Sequence, residues 1–253
     1  MINFKMQNVK NMIVTYVYHS CCAIEFDSFS IIIDYYKDAF ENGEGWVKDY
    51  LLKKEKPLYV LCTHSHADHF NQEVLIWDKK KSDITYIFSK EIEDTFKETL
   101  KEDKVHYLDK LQLFEVENVS IKAFGSTDAG ASFYIQHKDK KIFHAGDLNN
   151  WHWNEEVSKE DSLIYENQYI CELELVAEEV KELDIAMFPI DPRLGKDFML
   201  GGEQFVNKIK TNNLLPLHFG DNYELIKQFE PIAQAVNCNL LHLEHTGQSF
   251  KIK

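Results

Sequence analysis

At 253 residues and 44% hydrophobic, the chain can bury a substantial core as one large α/β domain spanning 1–253, and no linker, low-complexity run or internal repeat divides it. With 42 acidic against 28 basic residues the formal charge is −14, a field that repels a nucleic-acid backbone and removes nucleic acid from the expected partners. No apolar stretch reaches the ~18 residues of a membrane helix, the first residues lack the apolar run of a signal peptide, and five cysteines, two of them adjacent, fit reduced, buried thiols, so a cytoplasmic protein without a membrane partner is expected.

Residues 13–18, 22–26 and 30–34 alternate or run apolar with β-branched and aromatic side chains and predict a strand meander. Residues 36–54 are charged and loosely amphipathic, a helix or helical loop closed by Pro57 before a strand at 58–62. The pattern then predicts a helix at 71–80, a strand at 84–88 and a helix at 90–100 with Ser89 as its N-cap. A denser β region follows at 104–107, 111–116, 119–124, 132–136 and 141–145, with a hairpin turn at 138–140. The polar stretch 153–162 reads as a loop, and Ile170, Leu173, Val176, Ala177 and Val180 recur at helical spacing within a helix at 166–183. A buried strand at 185–188, a helix at 202–210, a strand at 214–217, a helix at 223–236 and strands at 240–243 and 249–252 complete the order. Two sheets with helices outside them would bury all these faces.

The chemistry concentrates after the 58–62 strand, where His64, His66, Asp68 and His69 place three imidazoles and a carboxylate within six residues. A strand ending in a tight loop can converge such side chains on one volume, and the donor set suits zinc, iron or manganese. Further strand ends carry Gly146-Asp147, His218, and the stretch from Gly125 to Gly130.

Together these places resemble the metallo-β-lactamase superfamily, whose His-x-His-x-Asp-His signature is matched by His64, His66, Asp68 and His69, its Gly-Asp by Gly146-Asp147 and its late histidine by His218. Asp34 resembles the family's early aspartate, which supports the metal loop from behind, and His144 is placed in a similar supporting role. His19-Ser20 is similar to the opening of the ascorbate-6-phosphate lactonase-like branch, with Tyr18 in place of its glycine. His19 is accordingly expected behind the ligands. The resemblance spans about residues 13 to 252 and implies a four-layer αββα sandwich with the site along one edge. It further implies two divalent ions, zinc or manganese first and iron next. His64 and His66 would hold one, Asp68 and His69 the other, with Asp147 bridging and His218 completing the second position. Such a pair shares a water, lowers its pKa and stabilises charge developing on a carbonyl or phosphoryl oxygen; Asp68 could also orient that nucleophile.

The chain departs from the family where a third histidine usually completes the first position: Ser126 follows Gly125. Asp128 is the local substitute, an oxygen ligand favouring harder ions such as manganese, and a turn cap is its alternative reading. His152, between Trp151 and Trp153 and close to Asp147, is assigned to substrate or leaving group, the alternative being a loop packed on the body. Arg193 is the only arginine in the chain. Its planar fork suits a carboxylate or phosphate on the substrate, and an internal salt bridge with Asp191 is the alternative. The expected function is a metal-dependent hydrolase that uses a metal-bound hydroxide to cleave an ester, lactone or phosphodiester bond in a small anionic substrate, with homo-oligomerisation left open. A degenerate one-metal sensor or binding protein on the same fold is the alternative.

Overall fold

Alternation along the third strand sorts its side chains onto two faces. Ile31 and Ile33 join the core between the sheets, whereas Ile32 faces outward with Val60, Cys62 and Phe88 onto Val47, Leu51, Val74 and Trp77. The structure, a computed structural model, describes residues 12–96, 105–117 and 119–253. Among these, two seven-stranded sheets face each other. The first runs, in spatial order, Gln248–Ile252, Met12–Tyr18, Cys21–Glu25, Ser30–Ile33, Leu58–Cys62, Ile84–Ser89 and Val105–Leu108. The second runs Asn239–Leu240, Asn213–Leu217, Ile185–Pro189, Lys140–His144, Ser132–His137, Val119–Phe124 and Leu113–Val116.

Helices cover both outer faces. The first sheet is covered by short helical segments at Trp46–Tyr50, Leu51–Lys53, Gln72–Lys79 and Lys90–Phe96. On the second, Tyr169 of the Lys159–Glu179 helix packs edge-on against Phe188, and Phe205 of the Leu200–Lys208 helix stacks on Phe143 and lies tilted against Phe188. The result is the expected αββα sandwich. No helix among the described residues is long and apolar enough to cross a membrane.

Several elements differ from the sequence expectation, each for a local reason. Residues 36–54 do not begin as a helix: Asn42 and Gly43 adopt positive φ and turn a short hairpin between Phe40–Glu41 and Glu44–Gly45. The Asp38 carboxylate then accepts hydrogen bonds from the Val47 and Lys48 amides and opens a helical turn at Trp46. The long helix starts at Lys159, earlier than residue 166, because the Ser158 hydroxyl accepts from the Asp161 amide as an N-cap. The expected 223–236 helix is broken into Tyr223–Ile226, a 3-10 turn and Glu230–Ala235. The 240–243 strand is reduced to Asn239–Leu240. Of the expected 90–100 helix, Lys90–Phe96 is seen and the remainder, with the start of the 104–107 strand, lies outside the described residues. All five cysteines are free, as expected, but Cys171 is exposed on the long helix and not buried.

Strand direction positions the site. Ser30–Ile33, Leu58–Cys62 and Ile84–Ser89 are mutually parallel in the first sheet, and Lys140–His144, Ile185–Pro189 and Asn213–Leu217 in the second. Their carboxyl ends deliver Asp34, the His64–His69 loop, Asp147, Asp191 and His218, the place where open α/β sheets carry ligands.

Candidate metal centre

Sharp exits from these strands aim the side chains inward. Asp34, His218 and His19 adopt left-handed backbone (φ 54°, 63° and 57°), a conformation that costs a non-glycine residue ~1–3 kcal/mol and persists where the surroundings impose it. Gly130 (φ 64°) lets the 125–131 loop lie against the metal strand: a Cβ there would stand 1.9 Å from the Thr63 carbonyl oxygen, which accepts a hydrogen bond from the Ala131 amide at 3.0 Å. That contact carries Asp128 to the mouth of the cluster. The Ser65 amide and hydroxyl both bond the Glu91 carboxylate, tying the histidine loop to the helix behind it.

Two groups of ligand atoms result, each within 4.8 Å: His64, His66, Asp128 and Asp147 in one, and His19, Asp68, His69 and His218 in the other. Asp147 faces both. Its Oδ2 lies 3.5 Å from His64 Nε2, while Oδ1 lies 3.1 Å from His69 Nε2 and 3.6 Å from His218 Nε2. The Nε2 atoms of His19, His64, His69 and His218 and Oδ1 of Asp147 are all buried without a hydrogen-bond partner. Buried polar atoms are normally satisfied, so five orphans converging on one volume, in a nitrogen and carboxylate donor set, fit divalent cations.

The opposite ring nitrogens explain why Nε2 is the free atom. His69 Nδ1 donates to Asp34 Oδ2 at 2.8 Å, and His218 Nδ1 donates to Asp191 Oδ2 at 2.8 Å. Thr63 Oγ1 donates to Asp34 at 2.7 Å and is thereby left to accept from His64 Nδ1 at 3.1 Å. In each ring Nδ1 is fixed outward and Nε2 is turned to the cluster, where its lone pair meets a cation once any second proton has left. Arg193 Nη2 also stands 3.0 Å from His218 Nδ1, but both are donors there, and the proximity reflects the Asp191 carboxylate they share.

Charge follows this arrangement. Burial opposes charging of His69, yet the flanking Asp147 and Asp34 carboxylates outweigh it and push the imidazole up to about 10. Burial, aided by His69, pushes His64 down to about 4. Burial also opposes ionisation of Asp147, but His69, His218 and His64 hold its carboxyl far below the usual range. The His19 ring, whose Nε2 stands 3.3 Å from Oδ2, does the same for Asp68. Without a cation, one proton on His69 balances the surrounding carboxylates.

The expected ligands His64, His66, Asp68, His69, Asp128, Asp147 and His218 are therefore brought together. Asp128 Oδ2 lies 3.6 Å from His66 Nδ1, and Ser126 Oγ accepts from the Asp128 amide, so Ser126 and not Asp128 caps the turn. His144 stays behind the ligands: its Nε2 donates to the Ser20 carbonyl and its Nδ1 accepts from the Gly146 amide. His19 is not behind them, since its Nε2 enters the second group. His152 is corrected more strongly. It is buried, Nε2 donates to the Asp197 carbonyl and Nδ1 accepts from the Asn154 amide, so both nitrogens are spent shaping its loop and tying it to the 192–197 segment. Arg193 takes the internal pairing, with Nε and Nη2 forked on Asp191, although its side chain remains 62% exposed. Asp191 itself was foreseen only as a salt-bridge partner, and its bond to His218 was not; its position at the end of the Ile185–Pro189 strand is the signal that could have found it.

A family model described as a beta-lactamase superfamily domain matches residues 13–218. A UPF0173 metal-dependent hydrolase from Exiguobacterium sp. is 25% identical over 91% of this chain and 94% of its own length. A UPF0173 protein from Pyrococcus abyssi is 28% identical, over 51% of this chain and 57% of its own length. Among solved structures, Igni18, a metallo hydrolase from Ignicoccus hospitalis, superposes with a TM-score of 0.69 at 16% identity, covering 96% of this chain and 99% of that one, a likeness of fold. With its signature residues on one edge of an αββα sandwich, the chain belongs to the metallo-β-lactamase superfamily.

Proposed function

We propose that the protein is a metal-dependent hydrolase that cleaves an ester, lactone or phosphodiester bond in a small anionic molecule. The observation that carries this reading is the split Asp147 carboxylate, one oxygen toward each group of ligand atoms. His64, His66, Asp128 and Asp147 would hold one cation, and Asp68, His69, His218 and Asp147 the second. Divalent cations in such sites polarise a carbonyl or phosphoryl oxygen and lower the pKa of water.

The chain's own side chains supply the rest. Asp68, half-exposed and kept ionised by His19, is placed to accept a proton from the attacking water or to orient it. Asp34 and Asp191 fix the tautomers of His69 and His218, so the donors are oriented before substrate arrives. Trp151 donates its indole N–H to the Asp147 carbonyl and packs edge-on against His218, bracing both. Arg193 feels Asp147 and Asp68 and is largely exposed, so its donors not committed to Asp191 are available to a substrate carboxylate or phosphate.

A panel of lactones, carboxylic esters and phosphodiesters tests the reading. Turnover of one class, abolished by a chelator and restored by zinc or manganese, is expected. A protein that holds metal but turns over none of them would instead support the one-metal sensor or binding reading.

A further inference from the structure

His19 does more than support Asp68. We propose that its Nε2 is itself a ligand of the second cation, so that this position offers three imidazoles and fills before the first. The proposal rests on the two-cation reading above. Its Nε2 is buried, has no hydrogen-bond partner, stands 3.3 Å from Asp68 Oδ2, and belongs to the same 4.8 Å group as the donor atoms of Asp68, His69 and His218.

The backbone is built to hold it there. His19 takes φ 57° at the turn between Met12–Tyr18 and Cys21–Glu25, its amide donates to the Tyr16 hydroxyl, and its carbonyl accepts from the His218 amide. Its ring lies 4.1 Å from that of His218. Next to it, the Ser20 carbonyl is fixed by His144. A residue serving only as a hydrogen-bond partner for a half-exposed carboxylate has no need of this anchoring on both flanks.

The two positions then differ in chemistry. The first combines two imidazoles with two carboxylates, and His66 and Asp128 are 52% and 50% exposed. The second combines three imidazoles with Asp68 and the inner oxygen of Asp147, and His69 and His218 are buried. Nitrogen-rich donors favour zinc or iron, and oxygen-rich ones favour manganese. Zinc is therefore expected to enter the second position first and with higher affinity.

The test uses metal-stripped full-length protein titrated with zinc against a chromophoric chelator, comparing wild type with H19N, since asparagine tolerates left-handed backbone and retains the turn. H19N is expected to weaken the first equivalent by more than about 100-fold, beyond the ~10–100-fold typical of losing a supporting partner, with little change in the second. X-ray absorption on wild type carrying one zinc, which needs no variant, is expected to count three imidazoles. Two imidazoles at one equivalent, or an unchanged first equivalent in folded H19N, would overturn the proposal. Wild type that takes only one zinc, bound by three imidazoles, would sink the two-cation reading while leaving His19 a ligand. Two ions with two imidazoles at the tighter position would do the reverse, and no bound ion would overturn both.

Discussion

At the scale of single residues, the cluster is governed by what sits behind each imidazole. Asp191 gives His218 a buried carboxylate partner, as Asp34 does for His69. D191N keeps the size but loses the charge that favours the outward proton, and it should lower affinity at the second position by ~10–100-fold without unfolding the chain. Competition titration reads this; unchanged affinity would mean that His218 is not held through Asp191. Asp128 makes the complementary case, and D128A should lose the ion at the first position while keeping the second. Equal stoichiometry in D128A and wild type would remove Asp128 from the ligands. The clustered histidines were legible because their spacing is local. The bond of Asp191 to His218 and the inward turn of His19 were not, because their partners lie far along the chain and only strand direction brings them together. His152 misled for the opposite reason: closeness to Asp147 in sequence put it near the site, but its ring turns back onto Asp197 and Asn154.

At the scale of elements, strands were more legible than helices. Runs such as Ser30–Ile33 and Leu58–Cys62 are bounded by abrupt changes of polarity and match their expected limits closely. In the 36–54 stretch the helical part, Trp46–Lys53, was legible, but the hairpin before it was missed because amphipathic spacing outweighed Asn42-Gly43, whose positive φ makes the turn. The 125–131 loop is the element on which the first position depends. G130A would force left-handed backbone on an alanine and drive its Cβ into the Thr63 carbonyl and His64. The expected cost is at least about 2 kcal/mol, a fall in Tm of at least ~4 °C, together with weaker binding at the first position. Thermal unfolding of the metal-stripped variant checks the first and zinc titration the second; a wild-type Tm would show that the loop is not pinned there.

At the scale of the whole molecule, a strongly acidic chain gathers its carboxylates around a few buried imidazoles, and protons and cations compete for the same atoms. Without metal, His69 holds its proton up to about 10 against 6.5 for an ordinary histidine. That contribution to stability is complete below 6.5 and is lost as pH rises through 10. The same proton must leave for a cation to bind at Nε2. Calorimetry in buffers of different ionisation enthalpy should therefore show about one proton released at the second position between pH 7 and 8, with affinity rising as pH rises. Binding without proton release would contradict the charge assignment. What the order of apolar strands and helices, with the family resemblance, could convey at this scale was the sandwich. The division of ligands into two groups around Asp147 depends on side-chain directions at five strand ends, which no local pattern encodes. The most direct measurement of the central claim is elemental analysis of the protein after reconstitution and removal of free metal. The account predicts two divalent ions per chain, falling to one or fewer in D147N; one ion in wild type, or two retained in D147N, would contradict it.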